Sequence, residues 1–168
     1  EDVINAPDVK SIYEIPLVLE KQKFAELVMK RLKMKSRGTP DKNWDNFVAK
    51  VNNINKSIKI ALVGKYFSTG DFILNDAYLS VFEAVKFSAY KAGVKAVIEG
   101  VDARDFEKKK PDYSILKKYN GIIVPGGFGK SGITGKLNVI HYARENRIPC
   151  FGLCYGMQLM TIEYARDV

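Results

Sequence analysis

Pro149-Cys150-Phe151-Gly152-Leu153-Cys154-Tyr155-Gly156-Met157-Gln158 is the stretch on which the reading of this chain turns. The short apolar run 149–153 predicts a strand, and 155–166 has the composition of a helix. Between them lies Gly-x-Cys-x-Gly, the pattern of a sharp strand-to-helix turn that lifts its central side chain above a sheet. Glycines two positions before and after that residue let the two backbones approach closely. A thiol at Cys154 would stand at a helix N-terminus, where the dipole favours a thiolate. The N–H of Tyr155 would be placed to donate to an oxyanion. The competing reading is a buried structural cysteine between packing glycines. Strand, turn and helix in register favour the nucleophile.

Outward from this turn, the chain alternates strand and helix from Ile58 onward. Strands are predicted at 58–63, 94–98, 121–124 and 149–153. Helices are predicted at 75–92, 112–119, 135–146 and 155–166. Continuous Val/Ile/Leu character in strands bracketed by helices implies an α/β fold: an open, mostly parallel sheet with helices on both faces. Such a sheet binds ligands beyond the carboxyl ends of its strands. The segment before Ser57 reads differently. Residues 1–16 are extended or irregular. One helix is expected over 17–32, and a second from Asp41 as cap to about Val51, with Trp44, Phe47, Val48 and Val51 on one face. The breaker cluster 36–40 separates them. The domain division is therefore 1–16, a helical linker 17–56, and the α/β portion 57–168.

The second unusual loop is Val124-Pro125-Gly126-Gly127-Phe128-Gly129, followed by Gly132 and Gly135. Glycine density after a strand frees backbone N–H groups to face a ligand. The full P-loop pattern Gly-x-x-x-x-Gly-Lys-Ser/Thr is not met, because Val124 stands five positions before Gly129, and a second oxyanion donor beside the thiol is preferred over a phosphate cradle. His141, the only imidazole, falls inside a helix and is not favoured as the base. Cys150 is read as core, and no metal site is expected from so few ligands. The formal charge of +8 is spread along the chain. Its densest run, 30–37, suits the end of a helix better than a nucleic-acid contact. No apolar run approaches the ~18 residues of a membrane span. Two cysteines make no disulfide framework, and the cytoplasm is the default location.

Together these residues resemble the class I glutamine amidotransferase part of the CTP synthase family. The motifs are Val124-Pro-Gly-Gly-Phe-Gly129, Ala143-Arg-Glu-Asn-Arg-Ile-Pro149, Gly152-Leu-Cys-Tyr-Gly-Met-Gln-Leu-Met160 and Glu163-Tyr-Ala-Arg166. Asp8-Val-Lys-Ser-Ile-Tyr-Glu-Ile-Pro16 resembles the end of the family's synthetase domain, and Ile60-Ala-Leu-Val-Gly-Lys-Tyr66 the first strand of its glutaminase domain. The resemblance implies a flavodoxin-like fold and hydrolysis of glutamine through a Cys154 thioester. It assigns the oxyanion hole to Gly127 and Tyr155, and glutamine contacts to Gly127, Tyr155, Gly156, Met157 and Gln158. It places Pro7, Asp8 and Val9 near an ATP site, and Lys65, Phe128 and Lys130 in a region coupled to GTP.

The family uses ATP and Mg to aminate UTP to CTP, with GTP as allosteric activator. No cofactor is expected on this chain itself. Partners would be the small molecules glutamine, UTP and ATP and further copies in a homotetramer, without nucleic acid or membrane. Ser131 stands where the family commonly has Arg. The family's triad His and Glu would lie beyond Val168, so this piece alone is expected to be inactive, and a sheet lacking later strands would expose an apolar edge and leave it poorly soluble or partly molten. The alternatives are another class I glutamine amidotransferase, or a non-catalytic flavodoxin-like binding or assembly module.

Overall fold

A computed structural model describes residues 3–35, 38, 42–65, 78–127 and 129–168. They form two compact units, Glu1–Ile54 and Asn55–Val168.

The first unit is helical. A 3-10 turn at Ile12–Glu14 leads into α1 (Ile15–Lys21), α2 (Phe24–Arg31) and α3 (Lys42–Asn52). Two expectations are corrected here. The stretch up to residue 16 is not irregular throughout, because Ser11 caps the 3-10 turn and Pro16 sits in the first turn of α1, where its missing N–H costs nothing. The single helix expected over 17–32 is two helices, broken where Lys23 adopts a left-handed conformation (φ 55°). The apolar face of α3 works as expected. Phe47 packs edge-on against Tyr13 at 5.4 Å, and the Trp44 indole donates to the Tyr13 carbonyl at 2.9 Å. Asp41, expected as the cap of α3, lies outside the described residues.

The second unit is a four-stranded, all-parallel sheet of order β2-β1-β3-β4, built from β1 (Ser57–Gly64), β2 (Lys95–Asp102), β3 (Gly121–Val124) and β4 (Cys150–Gly152). The central strand reads as predicted: Ala61, Leu62 and Val63 are fully buried, which requires cover on both faces. Ala61 and Val63 join Ile122 and Val124 in a core completed by α5 (Ile133–Glu145) and α6 (Tyr155–Asp167) through Val139, Ala143 and Leu159. Side chains of opposite parity, Leu62 and Ile123, face α4 (Leu79–Lys91) through Val81 and Phe82. The expected start of α4 at Asn75 lies outside the described residues.

Smaller differences follow from polar caps. The helix expected at 112–119 is a 3-10 segment, Tyr113–Lys118, closed by the Asp112 carboxylate accepting from Ser114 N–H at 2.9 Å. A further 3-10 segment, Ala103–Glu107, was not anticipated. Asp102 caps it, and its Phe106 is buried in the core. The α4 face is thinly covered. An apolar groove of about 540 Å³ runs past Ile60, Val85 and Leu153, and Phe151 is 61% exposed beside it. No described helix is long and apolar enough to cross a membrane.

Candidate active site

The chain runs outward from β1 to β2 on one side and then returns to place β3 and β4 on the other. That reversal opens a crevice at the carboxyl ends of β1 and β3, where such sheets hold ligands. The loops after β3 and β4 meet there.

The β4–α6 turn is built by exclusion. A Cβ at Gly152 would fall 2.5 Å from the Met157 nitrogen, and one at Gly156 would collide with the Val124 carbonyl oxygen. Only glycine lets the start of α6 lie this close to β3 and β4. The Leu153 N–H donates to the Val124 carbonyl at 2.9 Å and locks the turn to the neighbouring strand. Cys154 then takes φ 54° and ψ −115°, a conformation that costs a non-glycine residue about 1–3 kcal/mol. The surrounding backbone over-determines it, and the thiol is left exposed at the head of α6.

Opposite the thiol runs the β3 loop. A Cβ on Gly126 would lie 3.3 Å from the Cys154 Cβ and 3.5 Å from its Sγ, so the bare backbone passes alongside the sulfur. Gly126, Gly127, Cys154, Tyr155 and Gln158 share one cavity of about 770 Å³, large enough for an amino acid. Among the described residues, the N–H groups of Gly127 and Tyr155 have no acceptor. An exposed sulfur flanked by unspent amides can attack a carbonyl and receive the resulting oxyanion.

The other residues singled out from the sequence fall as follows. Gly156 is buried and Met157 faces outward at 57% exposure; neither lines the cavity. Lys65, directly after β1, donates from Nζ to the Gly129 carbonyl at 3.2 Å and so touches the glycine loop. Lys130 is exposed in that loop, and Phe128 lies outside the described residues. Pro7, Asp8 and Val9 belong to the first unit, with Pro7 and Asp8 exposed.

Lys136 was missed. It is 2% exposed in the first turn of α5, and its Nζ donates to the carbonyls of Pro125 at 2.7 Å and Gly126 at 3.2 Å. Burial, then the positive charge of Lys65, pulls its ammonium down to about 8, with Cys154 acting in the opposite sense. A signal was present in the sequence: Lys136 shares the stripe of Val139, Ile140 and Ala143, so helical spacing points a lysine inward.

His141 is not near the thiol. It lies in α5 with Nδ1 2.9 Å from Glu163 Oε1 and 3.4 Å from Asp167 Oδ2, both carboxylates on α6. Glu163 is nine residues beyond Cys154, about 13 Å along the helix. His141, Glu163 and Asp167 are close enough to share a cation. The donor set does not fit magnesium, which demands oxygen ligands in an octahedron. Arg144 already fills Glu163, donating from Nη2 at 2.8 Å and from Nε at 3.0 Å.

Comparisons with known proteins place the chain among relatives. Residues 73–168 match the family model described as glutamine amidotransferase class-I. The chain is 46% identical over its full length to a CTP synthase of Caldanaerobacter subterraneus subsp. tengcongensis, and 41% identical over 99% of its length to one of Listeria innocua. It spans 30% of the length of each of these relatives. Among solved structures it is similar to the Trypanosoma brucei CTPS glutaminase domain with bound acivicin. The TM-score is 0.58 at 37% identity, over 66% of this chain and 41% of that one.

Proposed function

The chain belongs to the class I glutamine amidotransferase family, and from that premise we propose that it carries the nucleophile and oxyanion amides of a glutaminase that feeds ammonia to CTP formation. The observation that carries this reading is the Cys154 sulfur, held at a positive-φ turn beside the bare Gly126–Gly127 backbone in one cavity.

The chemistry follows from the parts. Cys154 Sγ, as thiolate, adds to the side-chain amide carbon of glutamine, and the oxygen takes up the negative charge. The N–H groups of Gly127 and Tyr155 donate to that oxygen. Collapse of the adduct breaks the C–N bond, the nitrogen leaves as ammonia after accepting a proton, and a thioester remains. Water hydrolyses the thioester to glutamate. A base must move these protons. The sole imidazole, His141, is engaged with Glu163 at 2.9 Å and does not serve as that base.

Gln158 borders the cavity and is available to the amino-acid end of glutamine. In the longer protein, residues 1–16 end a synthetase domain whose ATP site includes Pro7, Asp8 and Val9. Residues 17–56 link it to the glutaminase. Lys65 and Lys130 lie where GTP occupancy would be felt. ATP with magnesium activates UTP in the synthetase domain, and the whole works as a cytoplasmic homo-oligomer.

The test compares nitrogen sources in the full-length protein. Cys154→Ala abolishes CTP formation from glutamine and leaves CTP formation from added ammonia intact. Equal loss with both sources, or no loss with either, defeats the proposal. The second of these outcomes favours the non-catalytic binding module.

A further inference from the structure

Lys136 occupies an unfavourable position for a cation. It is 2% exposed, it sits in the first turn of a helix where the dipole repels positive charge, and Lys65 lies close enough to depress its protonation further. Its described partners are two neutral carbonyl oxygens. A residue placed against burial, dipole and like charge at once needs an offsetting role, and the two carbonyls say what it is.

A trans peptide points its C=O and its N–H in opposite directions. No cis bond occurs among the described residues. The Pro125 carbonyl shares its peptide with the Gly126 N–H, and the Gly126 carbonyl shares its peptide with the Gly127 N–H. Both carbonyls are drawn inward to the Lys136 ammonium, which is buried and does not line the cavity. Both N–H groups therefore face the other way, toward the cavity that Gly126 and Gly127 share with Cys154. Nothing in the glycines themselves fixes this orientation, because a glycine peptide turns over without steric penalty. Lys65 holds the far end of the same loop through the Gly129 carbonyl at 3.2 Å.

We infer that Lys136 is a positioning residue for the oxyanion site: by holding the Pro125 and Gly126 carbonyls from beneath, its buried ammonium keeps the Gly126 and Gly127 N–H groups turned toward the Cys154 sulfur. The inference rests on the glutaminase reading for its catalytic consequence and on the loop geometry alone for its structural one.

The test uses Lys136→Met in the full-length protein, which keeps an unbranched apolar stem one atom shorter and removes every donor. Removing a whole oxyanion donor lowers kcat by ~10²–10³-fold. Letting the loop sample both peptide orientations is expected to lower kcat for glutamine by about 10–100-fold, with KM changed less than about twofold. Alkylation of Cys154 by iodoacetamide, which needs no oxyanion donor, keeps its rate. In crystals of the variant, the Gly126–Gly127 peptide is turned or split between two orientations.

Wild-type kcat in the variant overturns the inference. So does a parallel fall of kcat and of alkylation, because that reports a general collapse of the site. If the Met variant does not fold, Lys136→Gln carries the test. One atom shorter, it reaches one carbonyl at most, and unchanged kcat with it also overturns the inference. If the unmutated protein releases no ammonia from glutamine, the glutaminase reading fails by itself. The peptide orientation in Lys136→Met crystals then decides: a retained orientation overturns the inference and a turned one upholds it.

Discussion

The two helices α5 and α6 bring reactive side chains together at both of their ends, and the two ends are built to opposite purposes. At the N-terminal ends stand Cys154, Lys136 and the glycine loop. At the C-terminal ends stand His141, Arg144, Glu163 and Asp167, with Cys150 beside them in the wall of a small pocket. By residue type the second cluster looks more like a catalytic site, since it holds a cysteine, an imidazole and carboxylates. Yet its groups are spent on one another. Arg144 first, and then His141, hold the Glu163 carboxyl below its usual range. Burial, and then the Glu163 charge, pushes the Cys150 thiol up to about 11. At the other end the sulfur is exposed and the backbone amides are unspent. A nucleophile is made by the backbone that presents it more than by the side chains that surround it.

The sharpest attempt to break this contrast exchanges the roles of the two cysteines. Cys154→Ala in the full-length protein is expected to lower glutamine-dependent turnover by at least about 10⁴-fold, the scale on which removal of a nucleophile is felt. Cys150→Ser should change it less than about threefold, and an electrophilic glutamine analogue should label Cys154 alone, as read by peptide mass spectrometry. Labelling of both thiols at similar rates would erase the distinction.

The next effect tests the backbone directly. Gly156→Ala drives a methyl group into the Val124 carbonyl and should destabilise the fold by about 3 kcal/mol, the upper range for overpacking. Gly93→Ala meets nothing within 4 Å and carries only the strain of φ 80°, so about 1 kcal/mol is expected. Urea denaturation of the two variants side by side measures the gap. Equal losses would mean that the tight approach of α6 to β3 is not what fixes the turn.

That approach was legible in the residues, because Gly152-x-Cys154-x-Gly156 is a local pattern whose steric meaning survives without coordinates. The parallel sheet was legible for the same reason, its strands being short apolar runs that alternate with helical stretches. What escaped was set by tertiary contacts or by single torsions. The break at Lys23 has no sequence mark, since lysine is an ordinary helix residue and the turn rests on one left-handed torsion, φ 55°. The 3-10 segment at Ala103–Glu107 depends on the Asp102 cap, a choice a single aspartate does not announce. Lys136 could have been found by asking why a lysine falls on an apolar stripe, but its partners are carbonyls, which carry no residue identity.

A third comparison concerns the spent cluster itself. Glu163→Gln should leave kcat/KM for glutamine unchanged while lowering the unfolding midpoint. The sign follows from the direction of the shift. A carboxyl held below its ordinary value contributes stability that is present above that value and lost as pH falls through the lower, folded one. The gap in midpoint between wild type and variant is therefore widest near neutral pH and closes on acidification below about 4.5, the ordinary value for glutamate. A gap that is independent of pH in that window would remove Arg144 and His141 as its cause.

The smallest expected effect lies at alkaline pH and separates the two ends by the charge each one tolerates. Lys136 binds its proton less tightly in the folded protein, at about 8 against an ordinary 10.5, chiefly because it is buried. Below pH 8 both folded and unfolded chains carry the proton, and the full burial penalty stands. Between about 8 and 10.5 the folded protein sheds the proton while the unfolded chain keeps it, so the Lys136 contribution to stability rises with pH. Lys136→Met removes that slope. The stability of wild type minus that of Lys136→Met, taken from urea midpoints, should then be flat below pH 8 and climb above it. Glu163→Gln, measured in the same series, should show no such climb. A flat difference across the whole alkaline range would mean that the ammonium beneath the loop is better compensated than two carbonyl oxygens allow, and that a further partner shares its charge.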